Sequence, residues 1–197
     1  MLFGAALISL TGSWSYSVAL ATFAFERTHS LTVVGAASLA RFIPALLLSA
    51  YGGVIAERFE RVRVLITSDL CAFATQGALT VVAATGGPVW LALVLAALTQ
   101  CVTVVYSPAT AALIPQIAGE EDLAAANAFD GLMQNLVVAI GPAVGALLLM
   151  LGSPQYAFAV NAASFAFSAA LIARLRVRSR ATDVTEAGAA GPLRRPP

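Results

Sequence analysis

Apolar positions dominate this chain in long blocks, and its polar residues fall between the blocks rather than along them. No Asp, Glu, Lys or Arg occurs in residues 1–25, 70–119 or 131–173. A helix that crosses a bilayer needs roughly 20 apolar residues, so the first block is one span long and the other two are each about two. A water-soluble core helix keeps one polar face, and these blocks leave none. Turn residues and charges cut them into six predicted helices, at about 2–25, 31–56, 64–84, 89–113, 123–151 and 155–175. The dividers are Glu26-Arg27-Thr28-His29-Ser30, a charged turn over residues 57–63, Thr85-Gly86-Gly87-Pro88, an acidic loop over 115–122, and Gly152-Ser153-Pro154. Gly and Pro are the strongest of these punctuators. The predicted fold is all-α, an integral membrane bundle of six transmembrane helices over residues 1–175. A polar, Arg-bearing tail at 176–197 has the composition of a disordered linker.

Composition sharpens this picture at a few points. Of 197 residues, 59% are hydrophobic and 11% charged, against about 25% charged in soluble domains. The net charge of +1 gives no ground for a nucleic-acid partner. All eleven basic residues are Arg, and their placement sets the orientation, because basic loops stay in the cytoplasm. Arg58, Arg61 and Arg63 follow helix 2, and Arg174, Arg176, Arg178 and Arg180 follow helix 6. Both termini are therefore expected on the cytoplasmic face of the plasma (inner) membrane. Ala19-Leu20-Ala21 resembles a signal-peptidase site, but residues 1–25 lack a basic start and are interrupted by Ser13-Trp14-Ser15-Tyr16-Ser17. An uncleaved first helix is expected. Cys71 and Cys101 lie inside apolar spans and read as small apolar residues. The sequence suggests no metal site and no cofactor.

Two features inside the spans are expensive enough to need a reason. At 100° per residue, Asn127, Asp130, Gln134, Gly141 and Gly145 share roughly a 60° arc of helix 5. A polar stripe that becomes glycine-lined faces a water-filled path or another helix rather than lipid. Asp130 is near enough to the helix end that a snorkelling carboxylate is the competing reading. Arg41 lies near mid-membrane in helix 2, where a lone lipid-facing Arg would cost at least about 2.5–3.5 kcal/mol. It must face a cavity or pair with a carboxylate, Asp69 and Asp130 being the intramembrane choices. We read it as binding anionic substrate groups or coupling to a proton site; a buried pair that only fixes packing is the alternative. A faint three-helix repeat joins Pro44 and Gly52-Gly53 of helix 2 to Gly141-Pro142 and Gly145 of helix 5.

The turn after helix 2, Gly53-Val54-Ile55-Ala56-Glu57-Arg58-Phe59-Glu60-Arg61-Val62-Arg63, resembles the Gly-x-x-Ala-Asp-Arg-x-x-Arg-Arg loop of the major facilitator superfamily. Gly53 allows close helix approach, the acid can pair with Arg or a helix N-terminus, and the Arg residues anchor at headgroups. The family's Asp is Glu57 here, and its second consecutive basic residue is Val62, with Arg63 following. The resemblance implies a gate latch; an ordinary positive-inside loop is the alternative. Phe25 to Gly35 looks like the first external loop of a branch of drug and siderophore exporters, and Ala40-Arg41-Phe42-Ile43-Pro44 like its second helix. The stretch from Pro115, with Ala126-Asn127-Ala128, resembles its fourth loop and the start of helix 5. Gly141-Pro142-Ala143-Val144-Gly145-Ala146 resembles a Gly-Pro-x-x-Gly-Gly antiporter motif, with Ala146 at the last Gly. The likeness, to the enterobactin-exporter-like or drug-antiporter branch, covers nearly the whole chain.

The resemblance implies the N-terminal half of a twelve-helix fold built from 3+3 inverted repeats. The implied function is secondary active export of small organic molecules by alternating access, with proton coupling inherited from the family. Two departures bear on coupling: helix 4 has no Arg, and Ser13 follows Gly12 where the family often has Asp. The implied partners are the lipid bilayer, a small-molecule substrate, and a second six-helix half, either a missing C-terminal half or another copy. A truncated half that does not transport by itself stays open. An enzyme is disfavoured, because no paired intramembrane carboxylates, His-rich cluster or Gly-x-Ser-Gly context is present and His29 sits alone in a loop. A channel is disfavoured because no selectivity ring or repeated half-helix occurs.

Overall fold

The computed structural model describes residues 2–109, 111, 123–150 and 152–174. Within these, the side chains of 2–11, 50, 52, 54–57, 61 and 123 are excepted. The described residues form six α-helices: α1 Leu2–Thr28, α2 Leu31–Arg58, α3 Arg61–Ala84, α4 Val89–Thr103, α5 Leu123–Leu149 and α6 Pro154–Ala173. Five segments are long and apolar enough to cross a membrane: Leu31–Ser49, Val62–Ala84, Val89–Ala109, Ala124–Leu149 and Pro154–Ala173. The acidic loop at 115–122 and the tail at 176–197 lie outside the described residues.

The helix ends show which signals the chain obeys. Helix α1 continues through Glu26 and Arg27 to Thr28, three residues beyond the expected end. Charge alone does not stop a helix. The stop comes at His29, whose φ is +50° and whose N–H donates to the Phe25 carbonyl at 2.7 Å. That is a left-handed cap. Similarly, α3 starts at Arg61 rather than 64, because nothing in Arg61-Val62-Arg63 opposes helix. Gly86 and Gly152 supply the other left-handed turns, at φ +72° and +98°, and Pro154 occupies the first turn of α6, where its missing N–H goes unmissed.

Helix α4 departs most from expectation. Its regular part ends at Thr103, a turn occupies 104 and 105, and helical structure resumes over 106–109. Pro108 is the cause: without an N–H it cannot bond the Val104 carbonyl one turn back.

Helix α1 is the hub, packing on α5, α6 and α2, while α3 packs on α6 and α4, and α2 on α4. Exchanging the triplet α1–α3 with α4–α6 converts α1–α5 into α2–α4 and α1–α6 into α3–α4, and maps α3–α6 onto itself. An odd number of antiparallel steps separates the triplets, so they run oppositely, as an inverted repeat requires. On the α1–α6 seam, Tyr16 and Phe23 set their rings edge-to-face against Phe158, at centroid distances of 6.4 and 6.2 Å. Such aromatic pairs add about 0.5–1.5 kcal/mol beyond area burial. A second cluster joins Val62 and Leu65 of α3, Ala109 and Ile172 of α6.

Candidate functional site

A cavity of about 410 Å³ opens among α1, α2, α5 and the end of α4. Polar groups concentrate in it. Arg41 reaches it from α2, Gln100 and Tyr106 from α4 and its continuation, and Asp130 and Gln134 from α5.

Two glycines of α5 build one wall. A Cβ added at Gly145 would stand 2.7 Å from the Ser15 carbonyl oxygen, and one at Gly141 would collide with the Trp14 side chain. The α1 and α5 backbones therefore touch, which only small residues allow. The Ser15 hydroxyl crosses the seam and donates to the Gly141 carbonyl at 3.1 Å. Pro142 lies inside α5 directly beside this contact. Ser13 and Trp14 of α1 and Asp130 and Gln134 of α5 line the same cavity.

Arg41 is held by α1 rather than by an acid. Its Nη2 donates to the Ser13 carbonyl at 3.4 Å, and its guanidinium lies over the Tyr16 ring, 4.8 Å from the centroid. A desolvated cation on an aromatic face gains about 2 kcal/mol. The buried Nε has no hydrogen-bond partner among the described residues. The one ion pair described is Arg63 with Glu60, at 2.6 Å in the α2–α3 turn. Of the two outcomes open to Arg41, the structure selects the cavity and not the carboxylate pair. Asp69, the other carboxylate considered, is buried between α3 and α6.

Across the cavity, Gln134 Nε2 donates to Asp130 Oδ2 at 2.7 Å, one helical turn apart. The α5 stripe is thus brought together over Asp130, Gln134, Gly141 and Gly145, with the glycines against α1 and the polar pair in the cavity. Asn127 is exposed and does not line it.

The charged turn lies elsewhere. Arg58 and Arg63 are exposed, whereas the side chains of Glu57 and Arg61 lie outside the described residues. Gly53 corrects one expectation: nothing stands within 4 Å of where its Cβ would be. No described helix of this chain uses that glycine for close approach. Among the described residues there is no group of three or more His, Cys, Asp or Glu able to hold a metal.

Sequence reasoning passed over Gln100 and Tyr106 as cavity residues, and Tyr16 as the buried ring on which Arg41 rests. A signal existed for Tyr16: the polar interruption Ser13-Trp14-Ser15-Tyr16-Ser17 marks the point where α1 turns away from lipid. Gln100 and Tyr106 carried none, since a single polar residue in a span is equally at home in a helix–helix contact.

Comparison with known proteins agrees with this architecture. The family model described as Major Facilitator Superfamily matches residues 2–196. Macrolide efflux protein A of Streptococcus pyogenes is 27% identical over 171 residues, covering 86% of this chain and 42% of that protein. The Staphyloferrin A transporter of Staphylococcus aureus is 25% identical over 149 residues, 75% of this chain and 38% of that protein. An uncharacterized MFS-type transporter of Bacillus subtilis is 26% identical over 167 residues, 84% and 39% respectively. The chain spans about two-fifths of the length of these relatives.

Proposed function

The chain belongs to the Major Facilitator Superfamily, and from that premise we propose that it is the N-terminal six-helix half of a secondary active exporter of small organic molecules. It does no covalent chemistry on its substrate; it moves it by alternating access. The observation that carries this reading is the mid-membrane Arg41, turned into a cavity of about 410 Å³ and left without a carboxylate partner among the described residues. A guanidinium held there only by a carbonyl and an aromatic face is costly, and an anionic or hydrogen-bond-accepting group of a passing substrate offsets that cost. Asp130 and Gln134 line the same cavity, and Asn127, outside it, would meet the substrate only at the approach nearer the helix end.

Two relatives are named for a macrolide and for staphyloferrin A. Both names point to small-molecule cargo, and a cavity lined by a guanidinium, an amide and a carboxylate suits a cargo with hydrogen-bonding groups. We assign the protein to the plasma membrane with both termini in the cytoplasm, following the Arg bias. Glu57 with Arg58, Arg61 and Arg63 forms a latch on that face, and export draws on the proton gradient.

A second reading has its own support. Helix α2 presents Leu39, Ile43, Leu46, Leu47 and Tyr51 outside the cavity and exposed, and the site of a Cβ at Gly53 is open among the described residues. This face suits a second six-helix unit, so the chain alone inserts in the membrane without transporting.

Reconstitution distinguishes the readings. Liposomes holding the 197-residue chain, and others holding a twelve-helix version, are given a pH gradient and a labelled macrolide or staphyloferrin A. Transport by the twelve-helix version, lost on Arg41→Ala, supports the exporter; transport by the short chain as well supports a working pair of copies. No transport by either, with both folded, overturns the exporter reading.

A further inference from the structure

Asp69 is the charged-type residue that the cavity does not use. It sits in α3, is 0% exposed, and neither carboxyl oxygen has a hydrogen-bond partner among the described residues. No cation faces it. Helix α6 carries no charged residue from Pro154 to Ala173, and α4 none from Val89 to Thr103. On α3 the described cation nearest in sequence is Arg63, exposed and bound to Glu60; on α2, Arg41 is engaged with Ser13 and Tyr16. Of the thiols, Cys71 is exposed on α3, and Cys101 is half-buried on α4. The titratable group facing Asp69 is Tyr106, just beyond α4.

Hydroxyls connect this pocket to the cavity. The buried Ser168 of α6 lies beside the Asp69 carboxyl. Its Oγ is 3.3 Å from the Tyr106 hydroxyl, and Tyr106 lines the cavity. The other nearby hydroxyl, Ser68, is committed to the Val102 carbonyl at 2.6 Å. A carboxylate buried without a counter-charge is among the costliest groups to bury, whereas a carboxylic acid needs only the accommodation of a polar group.

We propose that Asp69 is a proton-binding site reached from the cavity through the hydroxyls of Tyr106 and Ser168. A proton from cavity water is taken by the Tyr106 oxygen, whose own proton passes to Ser168; the Ser168 proton passes to a carboxylate oxygen of Asp69. Both hydroxyls end with one proton each, and Asp69 gains one. The site sits where α3 meets α6 and the end of α4, so loading it changes the electrostatics of the contact that closes the bundle. Its role in coupling rests on the exporter reading; proton binding itself does not.

Infrared difference spectroscopy of the 197-residue chain in lipid bilayers tests proton binding without any transport. The expected result is a carboxylic-acid C=O band that declines as pH rises, is absent in Asp69→Asn and persists in Asp130→Asn. Transfer to heavy water shifts that band, and Tyr106→Phe slows the shift at least tenfold by removing the first carrier. The proposal is overturned if the band survives Asp69→Asn, if it does not change with pH, if sodium ions remove it at constant pH, or if Tyr106→Phe exchanges at the unmodified rate. A titrating band with no transport by the twelve-helix version removes the exporter and keeps the proton site. Transport with no such band does the reverse.

Discussion

Helices α6 and α2 are equally plausible membrane spans by hydropathy, yet they occupy opposite environments. Half of the α6 span is buried within the bundle, and almost none of the α2 span is. The buried residues of α6 include Ala157, Ala162, Ala169, Asn161, Ser164 and Ser168, whereas α2 turns Leu39, Leu46 and Leu47 outward. In water the hydrophobic effect would sort these helices the other way. In a bilayer lipid is as apolar as a core, so small side chains that let backbones meet mark the interior. The bulky aliphatic helix is the one left facing outward.

Substitutions can break this contrast. The largest effect is expected for Ala157→Leu, which forces three carbons into the tight cluster around Phe158. A loss of about 3 kcal/mol follows from overpacking, read as a lower melting temperature of the detergent-purified protein. An unchanged melting temperature would mean that α6 is not central. Next comes Arg41→Ala, expected to reduce transport by the twelve-helix version at least tenfold while costing no more stability than the lost contact with the Tyr16 ring, about 2 kcal/mol. A large stability loss instead would make it a packing residue.

Gln134→Leu removes a donor to Asp130 and is expected to weaken substrate affinity severalfold, in line with about 1 kcal/mol for one hydrogen bond. The smallest effect belongs to α2. Leu47→Ala should change the stability of the isolated chain by no more than about 0.5 kcal/mol; a greater loss that appears only in the twelve-helix version would show that a partner unit covers this face. Arg63→Gln sharpens the same point at the turn, because its exposed pair with Glu60 contributes about 0–1 kcal/mol. Unchanged stability with reduced transport supports the latch, and no change in either returns it to a plain cytoplasmic loop.

Most of the fold was legible because lipid imposes a length and a polarity on every span. The positions of the helices followed from charge-free blocks and from Gly and Pro, and the failures were local. Thr28 ends α1 because His29 takes the left-handed conformation, which no charge count foretells, and Pro108 divides the end of α4 although the apolar pattern runs straight through it. Of the candidate site, Arg41, Asp130 and Gln134 were visible because a polar group inside a span is expensive wherever it lies. Tyr106 and Gln100 were not, since their meaning depends on which helix stands opposite. Gly53 was misread for a related reason: a glycine announces that something can approach, without saying whether the visitor belongs to the same chain.

The seam between α1 and α5 has a mechanical consequence. With Gly145 against the Ser15 backbone and Ser15 bonded to Gly141, the two helices behave as a single beam, and Trp14 travels with Asp130. Helix α2 joins that beam at Arg41 by one long hydrogen bond and one aromatic face, and nearer its start through Ala37 in the buried cluster with Tyr16, Leu20 and Phe23. That beam is the upright post of the bundle, and the cavity opens between it, α2 and the end of α4.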